Sequence, residues 1–167
     1  MFKMNVIAFN GSPRKGNTEQ IVRKIVEGLG TETKIINIKE LRLEFYEKGK
    51  ENSLMNKLLE EIFEADLIVL ASPTYFSNVS GLMKNFFDWF NDVWQDKRLE
   101  GKKVVTIAVG ARTKSAEMCA DTLNEFARIC RMQVIESFVF KAEELIDAAN
   151  NKEIEKKCLE IIEKVKE

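Results

Sequence analysis

Short, largely apolar runs alternate along this chain with stretches whose apolar residues recur every three or four positions. The runs cover residues 5–9, 33–38, 66–71, 103–109 and 134–140 and read as strands. Helical spacing places Ile21, Val22, Ile25, Val26 and Leu29 on one stripe over 18–29, a helix that stops at Gly28 and Gly30. Leu54, Leu58, Leu59 and Ile62 do the same over 54–63. An unusually aromatic stripe, Val79, Leu82, Met83, Phe86, Phe87, Phe90 and Val93, predicts a helix over about 80–94. Two more helices are predicted over 116–128 and 151–165, whereas 39–53 loses the pattern, with Leu41, Leu43, Phe45 and Tyr46 scattered among charges, and reads as a loop. Five strands alternating with helices predict an α/β fold, doubly wound, with a parallel sheet covered on both faces. With 167 residues and neither repeat nor linker, residues 1–167 are expected to form one domain.

In such a sheet the ligand sits outside the carboxyl ends of the strands. Three loops fall there. The first, Asn10-Gly11-Ser12-Pro13-Arg14-Lys15-Gly16-Asn17-Thr18, runs from strand to helix, so its N–H groups and the positive end of the helix dipole suit a phosphate. Gly11, Gly16 and Thr18 nearly complete the triphosphate signature, but Asn17 stands where its lysine belongs, so a monophosphate fits better. Arg14 and Lys15 supply charge, and Ser12, Asn17 and Thr18 supply donors. The second loop offers Pro73, Thr74, Tyr75 and Phe76, a rigid turn with two aromatics suited to a flat ring. The third, with Gly110 and Arg112, could cover the ring's other edge. A phosphate at one end and a planar heterocycle at the other describe a mononucleotide.

Charge and composition narrow the function. A formal net charge of -1 without Lys/Arg blocks gives no footprint for nucleic acid or an anionic membrane, and no run approaches a membrane span. A cytoplasmic protein is expected. The absence of histidine removes Ser-His-Asp and Cys-His catalysis and histidine metal sites. Cys119, Cys130 and Cys158 are too widely spaced for a disulfide framework or a metal site and are expected to be ordinary thiols in helices. No metal site and no catalytic side chain are therefore predicted. Lys84 and Asp88 are expected to form an i,i+4 ion pair. Trp89, off the apolar stripe, predicts a subunit contact, a pocket wall or a partly exposed aromatic on a broad core face.

The run Gly11-Ser12-Pro13-Arg14-Lys15-Gly16-Asn17-Thr18, then Ser72-Pro73-Thr74-Tyr75-Phe76, then Lys84 with Phe87 and Asp88, resembles the flavodoxin-like NAD(P)H-dependent FMN reductases, especially their iron–sulfur flavoprotein branch. The resemblance implies a sheet of order 2-1-3-4-5, noncovalent FMN, NADH or NADPH as reductant, and a homodimer or homotetramer. It assigns Ser12, Arg14, Asn17 and Thr18 to the phosphate and Pro73, Thr74, Tyr75 and Phe76 to the ring. Arg42 to Lys50, where that branch carries its cysteine cluster, contains no cysteine, so no cluster is expected. The implied activity passes hydride or electrons through flavin to a small acceptor such as a quinone, flavin, azo or nitro compound. The alternative is a flavodoxin-like electron carrier without a small-molecule substrate.

Overall fold

Five parallel strands, β1 (Val6–Asn10), β2 (Thr33–Asn37), β3 (Leu67–Pro73), β4 (Lys103–Gly110) and β5 (Gln133–Lys141), lie in the order β2-β1-β3-β4-β5. They belong to a computed structural model that describes residues 4–29, 33–142 and 151–166. The predicted stop at Gly30 lies outside the described residues. Alternate residues of each strand feed two cores, as a parallel sheet buried on both faces requires. Val6, Ala8, Leu67, Val69, Val105 and Ile107 pack against α1 (Asn17–Leu29) and α6 (Lys152–Lys166). Ile7, Phe9, Ile68, Leu70 and Val104 pack against α3 (Ser53–Glu64), α4 (Gly81–Asp88) and α5 (Thr113–Ile129). A bulge between Val104 and Val105 shifts β5 by one residue, so Val105 pairs with Glu136.

Two boundaries depart from the sequence reading. The chain after β2 does not go straight into a loop: Ile38–Leu41 forms one helical turn, α2, anchored by the buried Ile38. The helix expected to run to residue 94 ends at Asp88 and tightens into a 3-10 turn over Trp89–Asp92. That tightening turns Trp89 into the core at 5% exposure. Its Nε1–H donates to the Glu44 carbonyl at 3.0 Å, and its ring meets Tyr46 edge-on with centroids 5.6 Å apart. Trp89 is therefore neither a subunit contact nor an exposed aromatic. The segment between α2 and α3 is held on this flank, where Asn85 Nδ2 donates to the Leu43 and Glu44 carbonyls and Tyr46 Oη donates to Asp92 at 2.9 Å. The Lys84–Asp88 ion pair forms as expected.

Cys119 and Cys158 lie in helices, and Cys130 lies just past the end of α5; all three are buried thiols. Burial pushes Cys130 and Cys158 up to about 11 and raises Cys119 as well. Because the folded state keeps these protons longer than the unfolded chain, their contribution to stability is full below the unfolded thiol value near 9.0 and is lost as pH climbs toward about 11. Denaturant midpoints should fall between pH 8 and pH 10.5, and Ser replacements at Cys130 and Cys158 should flatten the fall. Unchanged midpoints would contradict the assignment.

Candidate functional site

The carboxyl edge of β1 is shaped by a buried asparagine. Asn10, 2% exposed, accepts a hydrogen bond from the Ser12 amide at 3.1 Å and donates Nδ2–H to Asn37 Oδ1 at 3.0 Å. Asn37 is its register partner on β2, so the bond crosses between adjacent strand ends. Ser12 then donates its hydroxyl to the Arg14 carbonyl at 2.7 Å, closing a tight turn. Gly11 passes too close to its neighbours for any side chain: a Cβ there would lie 3.1 Å from Met83 and 3.2 Å from the Ala71 carbonyl. Gly16 differs, because its carbonyl accepts from Gln20 N at 3.1 Å to open α1, while a Cβ on it would meet nothing within 4 Å. Open space therefore adjoins the first turn of α1, whose leading N–H groups have no intrahelical acceptors. Thr18 is buried in that turn and Asn17 half-buried; Arg14 is exposed. Glu19, also in that turn, is neutralised by the Arg23 guanidinium at 2.8 and 3.0 Å.

Two serines lock the first loop to the second. Ser80 donates its hydroxyl to the Gly11 carbonyl at 2.6 Å and accepts from Met83 N at 3.1 Å, capping α4 while holding the first loop. Its own amide donates to Ser72 Oγ at 2.9 Å. Beyond Pro73, Tyr75 and Asn78 exchange both backbone hydrogen bonds at 3.0 Å around Phe76 and Ser77, whose φ angles are 49° and 61°. This is a type I′ turn built without glycine, a left-handed geometry that costs a bulky residue free energy. It lifts Phe76 fully into solvent and leaves Tyr75 at 40% exposure. Neither aromatic belongs to the core.

The third loop closes against the second. Thr74 N donates to the Val109 carbonyl at 2.7 Å, and Ser77 Oγ donates to Ser115 Oγ at 3.1 Å. Gly110 is needed for this approach, since a Cβ there would lie 2.9 Å from both Cβ and Oγ1 of Thr74. Thr74 Oγ1 is buried and makes no regular hydrogen bond. The Cys119 thiol lies near enough to interact with it, but sulfur is a weak partner. Arg112, exposed, immediately precedes α5.

All three loops thus meet at one edge. The sequence reading gave no binding or supporting role to Asn10, Ser72, Ser80 or Ser115; the visible signal was a polar residue at the buried end of an apolar strand, at Asn10 and again at Ser72. Among the described residues no group of three or more acidic, cysteine or histidine side chains could hold a metal, and no helix is long and apolar enough to cross a membrane.

Known proteins resemble this chain in sequence and in fold. The chain is 38% identical over 97 residues to an iron-sulfur flavoprotein of Archaeoglobus fulgidus, an alignment covering 51% of this chain and 48% of that one. It is 32% identical over 146 residues to an iron-sulfur flavoprotein of Methanocaldococcus jannaschii, covering 79% and 76%. The chain thus spans about half the length of the first relative. A flavone reductase structure superposes with a TM-score of 0.80 at 18% identity, covering 98% of this chain and 64% of that one, which speaks for the fold alone. The sequence model of the NADPH-dependent FMN reductases matches residues 4–145. With the match running from the start of β1 through β5 and its three loops, the chain belongs to the NADPH-dependent FMN reductase family.

Proposed function

We propose that the protein is an FMN-dependent oxidoreductase that is reduced by NADPH or NADH and passes electrons to a small acceptor such as a quinone, flavin, azo or nitro compound. The observation that carries this reading is the buried Thr74 hydroxyl, with no regular hydrogen bond and only the weak Cys119 thiol beside it, at the meeting point of three loops, one of which keeps open space at Gly16 beside a helix N-terminus. A buried hydroxyl left unpaired costs free energy that a ligand's polar edge can return. FMN, when bound, supplies the ring that accepts the hydride. Gly16, Asn17 and Thr18 bind its phosphate through the first turn of α1, with Arg14 adding charge and Ser12 framing the loop. Pro73, Thr74, Tyr75 and Phe76 receive the ring, with Gly110 allowing the close approach and Arg112 at the rim.

The test is a visible absorption spectrum of the purified protein, followed by FMN titration and anaerobic addition of NADPH or NADH. Stoichiometric FMN that bleaches with a pyridine nucleotide supports the proposal. Failure to bind FMN would refute it, and FMN that neither nucleotide reduces would leave a carrier rather than a reductase. Thr74→Val gives a sharper check, because it removes the unpaired hydroxyl at nearly constant shape. The flavin-free variant should melt no lower than the parent, while FMN should bind more weakly by about 0.5–1.5 kcal/mol. Unchanged FMN affinity would remove Thr74 from the site.

We further propose that the protein assembles as a homodimer or homotetramer through the groove between α4 and α5. That groove, an 840 Å³ cavity, is floored by Phe87 and Phe126 and partly edged by Trp94 and Ile129. Its rim carries both signs, Lys84 and Arg128 beside Asp88 and Asp121, as a self-complementary two-fold contact needs. Sedimentation velocity decides it, and a monomer at micromolar concentration would refute it.

A further inference from the structure

The peptide that joins Gly11 to Ser12 is gripped from both sides. Its carbonyl accepts the Ser80 hydroxyl at 2.6 Å, and its N–H donates to Asn10 Oδ1 at 3.1 Å. Both partners are buried, Ser80 at 1% and Asn10 at 2% exposure, where a lost hydrogen bond strands a polar group away from water. From Ser80 the bonds run on into the second loop. The Ser80 amide donates to Ser72 Oγ at 2.9 Å, and the Ser72 hydroxyl donates to the Pro73 carbonyl at 2.8 Å. A buried chain of side-chain and backbone groups therefore joins the loop that opens α1 to the base of the loop that carries Thr74, Tyr75 and Phe76. The far end of that chain is under strain. Phe76 and Ser77 hold φ angles of 49° and 61°, a conformation that persists in residues other than glycine only where the surroundings impose it. Its own supports are slight: the two backbone bonds between Tyr75 and Asn78, both exposed residues whose bonds water contests, and the Ser77 to Ser115 hydroxyl contact. The turn thus depends on how firmly its base is held.

We propose that Ser80, acting through Ser72, is a positioning residue that couples the two halves of the site, so that filling the phosphate half strengthens binding in the ring half. The identity of the two halves rests on the FMN reading. The coupling works by shared ordering. An anion held at the first turn of α1 fixes the first loop and with it the Gly11 carbonyl, which steadies the Ser80 hydroxyl. The Ser80 amide then steadies Ser72 and the base of the strained turn. A ring that meets a turn already ordered has less conformational freedom to remove, and so binds more tightly. Linkage makes the effect reciprocal: a bound ring tightens the anion by the same factor. Direct contact is not the route, because Ser80 and Ser72, at 1% and 0% exposure, have no surface to offer a ligand.

The test splits the ligand in two. Riboflavin, which has the ring and lacks the phosphate, is titrated into the flavin-free protein by fluorescence quenching, once in inorganic phosphate and once in chloride of equal ionic strength. Phosphate is expected to tighten riboflavin by about five- to hundredfold, the ordinary range of coupling between sites. Ser80→Ala and Ser72→Ala should each reduce that factor to about twofold or less, and the double variant should lose no more than either alone, because the links act in series. Ser72→Ala separates coupling from helix capping, since the Ser80 hydroxyl keeps both the Met83 amide and the Gly11 carbonyl. Strand pairing survives both changes through the backbone bond from Gly11 N to the Ala71 carbonyl at 2.8 Å. A second readout needs no flavin: phosphate alone should slow amide hydrogen exchange at Tyr75 and Asn78 in the parent and in neither variant. Riboflavin binding that phosphate does not strengthen, or a coupling that either variant retains, would overturn the proposal and leave the FMN reading standing. So would exchange at Tyr75 and Asn78 that phosphate does not slow. A protein that binds neither FMN nor riboflavin would end the oxidoreductase reading, while hydrogen exchange would still decide whether the two loops are coupled.

Discussion

Phe86→Ala is expected to lower the free energy of unfolding by about 3–5 kcal/mol. Phe86 is fully buried on the inner face of α4, stacked on Phe9 of β1 with centroids 4.7 Å apart and edge-on to Phe90 at 5.3 Å. Truncation removes the transfer free energy of the ring, leaves a cavity that flanking rings close only in part, and forfeits the ring contacts with Phe9, Phe87 and Phe90. The site should suffer as well, because α4 starts at Ser80, whose hydroxyl holds the Gly11 carbonyl. Phe86→Leu, which keeps most of the volume, should cost roughly 1.5 kcal/mol or less. Urea denaturation of the three proteins checks the ordering, and an alanine variant within 1 kcal/mol of the parent would mean that α4 is not seated on β1 as described.

Gly110→Ala should cost about 1–3 kcal/mol, the range for forcing extra atoms into a packed contact, and should also abolish tight FMN binding. The added methyl would lie 2.9 Å from Thr74 and 3.2 Å from Ala116, so the second loop must move off the third. Thr74 cannot yield easily, because its amide is tied to the Val109 carbonyl at 2.7 Å. The clash predicts a partial rescue: Thr74→Ala removes the Oγ1 contact but keeps Cβ, so it should recover only part of the stability lost to Gly110→Ala, giving a favourable coupling in a double-mutant cycle. FMN affinity should not recover with it, since the Thr74 hydroxyl is then gone. Additive stabilities would show that the two residues do not meet.

Much of this was legible in the order of residues. A parallel sheet buried on both faces demands strands that are apolar throughout, so β1, β3 and β4 announced themselves as runs, and the three loops followed from where those runs end. The short helix Ile38–Leu41 was not legible, because four residues carry too little periodicity and the segment's charge resembled a loop. Trp89 misled for a related reason. Its place on an ideal helix wheel points away from the stripe, but the helix tightens after Asp88, and the 41–52 segment supplies a carbonyl and a tyrosine ring to cover it.

The sequence by itself determined the α/β alternation, the glycine-bearing turn of the first loop and the aromatic character of the second, because each depends on residues close together in the chain whose local preferences and burial pattern agree. Tertiary structure alone decided how the loops support one another. The Ser80 hydroxyl meets the Gly11 carbonyl 69 positions away, and Thr74 presses on Gly110. Those contacts arise from parallel pairing in the order β2-β1-β3-β4-β5, which brings the carboxyl ends of distant strands side by side. No local pattern encodes that juxtaposition; it exists only once the sheet has closed over its two cores.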